Sequence, residues 1–231
     1  MDWFNNWIDK LHETFIEGDR YMTLLEGFGE TLKITFGALL IGIVIGTFVA
    51  IVKVLCEGNK KLKIFDVLCN IYLTVIRGTP VVVQLLIMFF IVFVSAEDGT
   101  MVATLTFGIN SGAYVAETIR SGILAIDKGQ TEAGRSLGFS AGKTMWLIVL
   151  PQAFKNILPA IGNEMIALLK ETSVAGYVAV VDLTKAGNQI RNTTYDQFNP
   201  IICVALVYLT VVLIMTRLLN MLERRLRKSE R

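Results

Sequence analysis

"KITFGALLIGIVIGTFVAIVK", residues 33 to 53, decides the fold. The nineteen residues between its two lysines carry no charge, close to the ~20 that an α-helix needs to cross ~30 Å of hydrocarbon. Moving outward, Gly78 to Ala96, Gly99 to Ala116 and Gln197 to Thr216 are likewise free of charge. A fifth run, Asn156 to Val178, is apolar enough but carries Glu164, Lys170 and Glu171. Composition agrees, with 53% of the 231 residues apolar, 18% charged and a mean hydropathy of +0.56, whereas soluble domains run near a quarter charged. The chain is predicted to be an all-α polytopic membrane protein with about five transmembrane helices.

Lys and Arg near short connections stay on the cytoplasmic side. Lys53, Lys60, Lys61 and Lys63 follow the first run, Arg120, Lys128, Arg135 and Lys143 the third, and Arg224, Arg225, Arg227, Lys228 and Arg231 the last. The other side carries Glu97, Asp98 and the charge-balanced stretch Asp182 to Asp196. The N-terminus is therefore expected outside and the C-terminus in the cytoplasm. The opening "MDWFNNWIDKLHETF" is not a signal peptide, because Asp2 and Asp9 stand where a basic region belongs and no long apolar core follows. Its Phe4, Trp7, Ile8, Leu11 and Phe15 recur at helical spacing. They predict an amphipathic helix over 1–20, lying on the outer interface or, equally, on a plain protein surface. The transmembrane domain is expected over 21–225, with 226–231 a basic cytoplasmic tail against lipid headgroups.

Enzyme chemistry is poorly supplied. His12 is the only histidine and falls in the N-terminal helix, which removes His-based triads and histidine metal motifs. Cys56, Cys69 and Cys203 lack metal spacing and read as small apolar residues. No catalytic residue, metal site or nucleic-acid surface is expected.

Between the third and fourth runs the chain spends over thirty residues, Arg120 to Asn156, where a tight turn would do. Within it, Gly138, Phe139, Ser140, Ala141, Gly142, Lys143 and Thr144 look like a phosphate loop, but only three residues separate the glycines. A phosphate loop needs four there and a buried strand before it, and Asp127 to Leu137 is instead mixed polar and rich in helix formers. The segment reads as two short helices. Asp127 and Gln130 resemble a capping box, Gly138 stops the first helix, and Ser140 caps a second that leads toward Pro151.

Glu132, Ala133, Gly134, then Gly138, then Ile148 to Pro151 resemble the EAA loop of membrane subunits of bacterial ABC importers, with Gly134 in place of the usual second alanine. The likeness extends through "YLTVIRGTPVVVQLLIMFF", "NSGAYVAETIRSGILAIDKGQTEAGRSLGFS" and "LPQAFKNILPAIGNEMIALLKETSVAG". Over roughly 20 to 225 the chain is similar to the polar amino acid permease branch of type I ABC importers. That resemblance implies a loop, over about 120–155, that inserts a coupling helix into a groove on a separate ATPase subunit. ATP and Mg would be bound by that ATPase dimer, with no cofactor in this chain. It also implies a second permease copy or paralogue, an extracellular or periplasmic solute-binding protein, an amino acid substrate and a place in the bacterial cytoplasmic membrane. For coupling, small Ala133 and Gly134 permit close approach, Glu132 and Arg135 offer charge-assisted contacts, and Gly138 gives the backbone freedom to turn.

Polar groups inside apolar runs are the pointers to substrate, because charge at such depth is costly in lipid. Asn110 shares a helical face with Thr106, Ala113 and Glu117, with Tyr114 beside it; Glu164 shares one with Glu171, and Asn163 with Lys170. A zwitterionic amino acid needs a carboxylate for its ammonium, which Glu164 can supply, and a donor for its carboxylate, which Lys170 or Asn110 can supply. Structural pairing of Glu164 and Lys170, or a place in the outer gate, is the alternative. Gly37, Gly42 and Gly46 allow another helix close, from this or a partner subunit. Arg77 to Pro80 predicts a helix that bends, with Arg77 reaching cytoplasmic headgroups. An ATP-independent transporter, which would show internal repeats, and an intramembrane enzyme are the competing classes.

Overall fold

The computed structural model describes residues 2–56 and 62–228. Lys60, Lys61, Arg231 and the side chains of Phe4, Arg227 and Lys228 lie outside the described residues. Among the described residues the chain is helical throughout its regular structure. Helix α1 (Asp2–Leu11) leads through a π turn and a short 3-10 turn into α2 (Arg20–Cys56). Gly18 and Asp19 turn the chain there with φ of 65° and 52°. Then come α3 (Lys63–Gly78), α4 (Val81–Ile87) and α5 (Gly99–Leu124). The segment after α5 contributes α6 (Lys128–Ser136) and α7 (Ala141–Thr144), followed by α8 (Leu150–Glu171), α9 (Leu183–Thr194) and α10 (Asn199–Lys228).

Three helical stretches are long and apolar enough to cross a bilayer: Asn6–Cys56, Ala141–Val178 and Asn199–Leu226. A fourth crossing results if Lys63–Gly78 and Val81–Val92, bent by 105°, form one broken span. Pro80, which lacks an N–H and clashes with the preceding turn, sits at this break. The bend expected at Arg77 to Pro80 is thus found, and the span expected from Gly78 to Ala96 is shorter than its uncharged run, since Val81–Val92 covers only about 18 Å. Helix α5, expected as a span, has 26 residues and is long enough at about 39 Å. Thr104, Thr106, Asn110 and Ser111 keep it below the hydropathy of the other three. The expected fourth span begins earlier than Asn156, because helix continues unbroken from Ala141. The expected tail boundary at 226 falls inside α10.

The chain sorts into two units. One comprises Met1–Ala38, Val81–Phe107 and Ala167–Ile214, the other Leu39–Pro80, Gly108–Ile166 and Met215–Arg231. In the first, Leu24, Leu183, Ala186, Ile190 and Val204 form a buried cluster, with Phe15 and Tyr208 packed against it. Asp182, fully buried, caps α9 by accepting from the backbone N–H of Thr184 and Lys185 at 2.9 and 3.2 Å. The Thr14 hydroxyl, beyond α1, donates to Asp196 at 3.0 Å. Asp196 also accepts from the N–H of Phe198 and Asn199 and from the Asn199 amide, fixing the start of α10.

In the second unit Val49, Cys69, Leu73, Ala113 and Ala116 form the buried cluster. The neighbour that the small residues of α2 admit is α5 of the same chain. A side chain at Gly42 would lie 2.8 Å from the Ser111 Oγ, and one at Gly46 would lie 2.6 Å from Val115.

Candidate functional site

The cytoplasmic segment is built by its caps. The Asp127 carboxylate accepts from Gly129 N–H at 2.6 Å, and the Asp127 carbonyl from Gln130 N–H at 3.0 Å. The Gln130 side chain does not complete a capping box, since its Oε1 accepts from Gln152 at 3.2 Å instead. Helix α6 ends as expected: Gly138 has φ of +85°, its N–H donates to Arg135 and that of Phe139 to Gly134. This is a Schellman closure, which favours glycine at the left-handed position. The Ser140 Oγ then caps α7 by accepting from Lys143 N–H at 3.3 Å. The glycine-rich stretch that mimics a phosphate loop is thus the junction of two helices, with no strand before it.

Glu132, Ala133, Arg135 and Gly138 stand exposed along α6 and its cap. Gly134 points inward, where a Cβ would lie 2.6 Å from Thr144 Cγ2 and 2.8 Å from Ile148 Cδ1. Its small size lets α6 pack on the following helix of its own chain and does not offer space to a partner. Leu137, 76% exposed at the tip, was not singled out from the sequence. The available signal was an apolar residue between the last helical turn and a capping glycine, in a segment with no other use for it.

Within the second unit α5 and α8 bring polar groups together. Ser111, fully buried, donates its hydroxyl to Glu164 Oε1 at 2.8 Å. Asn110 is buried beside it on α5. Tyr114 lies under the guanidinium of Arg77, 5.5 Å from ring centroid to Cζ, within cation–π range. Arg77 also approaches Glu117 at 3.9 Å, and Arg120 pairs with Glu117 at 2.6 Å. Arg77, expected to reach the headgroups, also contacts α5 through Tyr114 and Glu117. Asn163 is exposed and its amide donates to the Pro159 carbonyl of its own helix at 3.2 Å. Lys170 is exposed further along α8 and belongs to the first unit. Ser111 escaped the sequence reading because a lone serine in an apolar helix looks like any small residue.

A helical chain with several apolar spans, one of them broken at a proline, and a capped two-helix cytoplasmic segment defines a multi-pass permease of the type I ABC importer fold. The chain belongs to the family of binding-protein-dependent transport system inner membrane components, whose profile matches residues 33–228. It is 38% identical over 210 residues to the arginine transport system permease protein ArtQ of Bacillus subtilis (strain 168), covering 90% of this chain and 94% of that protein. To the L-cystine transport system permease protein TcyL of the same organism it is 31% identical over 232 residues, covering 96% and 95%. Its fold superposes on the crystal structure of an amino acid ABC transporter with histidines with a TM-score of 0.84, at 39% identity, covering 91% of this chain and 98% of that one. The chain is a transport permease subunit and not an enzyme, and it works in a complex with an ATPase subunit.

Proposed function

We propose that this chain forms the transmembrane path of an importer of polar amino acids in the bacterial cytoplasmic membrane, with Glu164 receiving the substrate's ammonium. ArtQ and TcyL are named for arginine and cystine, which share an α-ammonium and an α-carboxylate. The observation that carries the reading is the 2.8 Å bond from Ser111 to Glu164. A hydroxyl fixes a carboxylate in place without cancelling its charge, and an amino acid brings the complementary ammonium. Asn110 and Tyr114 on α5, and Asn163 and Lys170 on α8, are the further candidates along the path.

Coupling is assigned to the exposed Glu132, Ala133 and Arg135 of α6, shaped from within by Gly134 and at its end by the exposed turn at Gly138. The partners are an ATPase dimer that binds ATP and Mg, a second permease copy or paralogue, and an external solute-binding protein. The test is the complete transporter in proteoliposomes with its external protein, assayed for uptake of basic, amide and sulfur-containing amino acids. Saturable uptake of one of them that needs ATP inside the vesicle is expected. Uptake that is indifferent to ATP overturns the reading.

A further inference from the structure

We propose that the second unit holds a binding site for one anionic phospholipid of the cytoplasmic leaflet, seated between the ends of the membrane helices and the coupling segment. The site is a cavity of about 430 Å³. Lys53 at the end of α2, Arg120 near the end of α5 and Lys128 at the start of α6 line it, and Asp66 is the one carboxylate among its described lining residues. Lys53 is held by Asp66 at 3.0 Å and Asn70 at 2.6 Å, and Arg120 by Glu117 at 2.6 Å. These bonds set Lys53 and Arg120 in fixed positions, and with Asp66 and Glu117 set against Lys53, Arg120 and Lys128 the site keeps an excess of one positive charge.

A second, wholly apolar groove of about 230 Å³ adjoins it, and Cys56 lines both. Phe48, Val52, Leu55 and Phe65 form its walls, and Phe48, Leu55 and Phe65 are more than half exposed. A cationic chamber beside an apolar groove, with Cys56 shared between their walls, matches a phosphate headgroup with an acyl chain. The chamber also lies on the side of the molecule that carries the lysine- and arginine-rich connections, where anionic lipid concentrates. A nucleotide is a poorer match, because no described residue lining the chamber is aromatic and a base would find no ring to stack on. Free phosphate would use the cations but not the groove. Thr131 of α6 and Met145 beyond α7 also line the chamber. A bound lipid therefore ties the coupling segment to the membrane helices, a role independent of which solute is carried.

The test uses the complete transporter with its ATPase subunits, in nanodiscs of phosphatidylcholine with or without phosphatidylglycerol, and native mass spectrometry to count retained lipids. Retention of phosphatidylglycerol over phosphatidylcholine is expected, falling about fivefold for each cation removed in Arg120→Gln and Lys128→Gln. Val52→Trp fills the groove without touching charge, and should lower retention to a similar degree. Lys128→Arg, which keeps the charge, should retain the lipid and guards against misfolding as the cause. Equal retention of the two lipids, or unchanged retention in all three variants, overturns the proposal. Displacement of phosphatidylglycerol by millimolar inorganic phosphate, with Val52→Trp behaving as wild type, shows a free-anion site and overturns it as well.

Discussion

The Ser111 hydroxyl and the Glu164 carboxylate meet at 2.8 Å, joining α5 to α8 through a buried serine that faces a glycine of α2. Glu164→Gln keeps shape and hydrogen bonding but removes the charge. Loss of a charge-assisted contact of ~1.5 to 3 kcal/mol should weaken substrate-stimulated ATPase activity about tenfold or more, with basal activity and assembly intact. Ser111→Ala keeps the charge and loses only its positioning, so a smaller loss of about fivefold is expected. Unchanged stimulation in Glu164→Gln with a lower melting temperature would instead make the carboxylate a structural partner.

Arg77 stacks on Tyr114 from the helix before the Pro80 break. A double-mutant cycle with Arg77→Gln and Tyr114→Leu, read by thermal unfolding of the detergent-solubilised complex, should give a coupling energy of about 0.5 to 1 kcal/mol. Additive effects of the two substitutions would show that the stack contributes nothing.

Gly134 meets Thr144 where related loops carry alanine. Gly134→Ala puts a methyl 2.6 Å from Thr144 Cγ2, and should lower stability by about 1 to 3 kcal/mol and reduce transport. Thr144→Ser in the same chain removes that Cγ2; it keeps the Oγ at 3.0 Å, which the smaller serine can rotate away, and the Ile148 Cδ1 at 2.8 Å is a flexible end that can move. Recovery in the double variant is expected; a single variant that performs like the parent would count against the packing argument.

Glu132→Arg reverses charge on the exposed face of α6, and Gly138→Val places a β-branched residue at φ of +85°, which costs about 1 to 3 kcal/mol. Both should lower uptake per ATP hydrolysed while the membrane part still assembles. A parental ratio of uptake to hydrolysis in either variant removes that residue from coupling.

Asp196 gives a pH signature. Burial pushes its carboxyl up, but bonds from the Asn199 amide, the N–H groups of Asn199 and Phe198 and the Thr14 hydroxyl outweigh this and hold it below the ordinary carboxylate value. A lowered folded-state pKa contributes stability that is complete above the unfolded value of about 3.9 and lost as pH falls through the folded one. Asp196→Asn should therefore lower stability at neutral pH by about 0.5 to 2 kcal/mol for a weakened cap, seen as a lower melting temperature, with the difference closing in acid. A difference that widens as the pH falls would have the wrong sign.

The sequence made the apolar spans of α2 and α10 and the caps of the segment between α5 and α8 legible because each rests on local chemistry: uncharged length, and Asp127, Ser140 and Gly138 at helix ends. What it could not show depends on partners distant in the chain. The bend at Pro80 was legible from the proline, but its size, 105°, needed the geometry on both sides of the break. The inward turn of Gly134 depends on Thr144, and Gln130 found Gln152 and left its cap. Ser111 acquires meaning only opposite Glu164, 53 residues away.

Helix α6 is keyed to Thr144 through Gly134, and from Ala141 the chain runs as unbroken helix past Glu164. Between Ala141 and the Glu164 carboxylate the only departures from regular α-helix are the π turn at Met145–Val149 and Pro159, and no loop intervenes. A displacement of Leu137 therefore has a route to Glu164 through the Gly134–Thr144 contact and this helix, with no loop to absorb it.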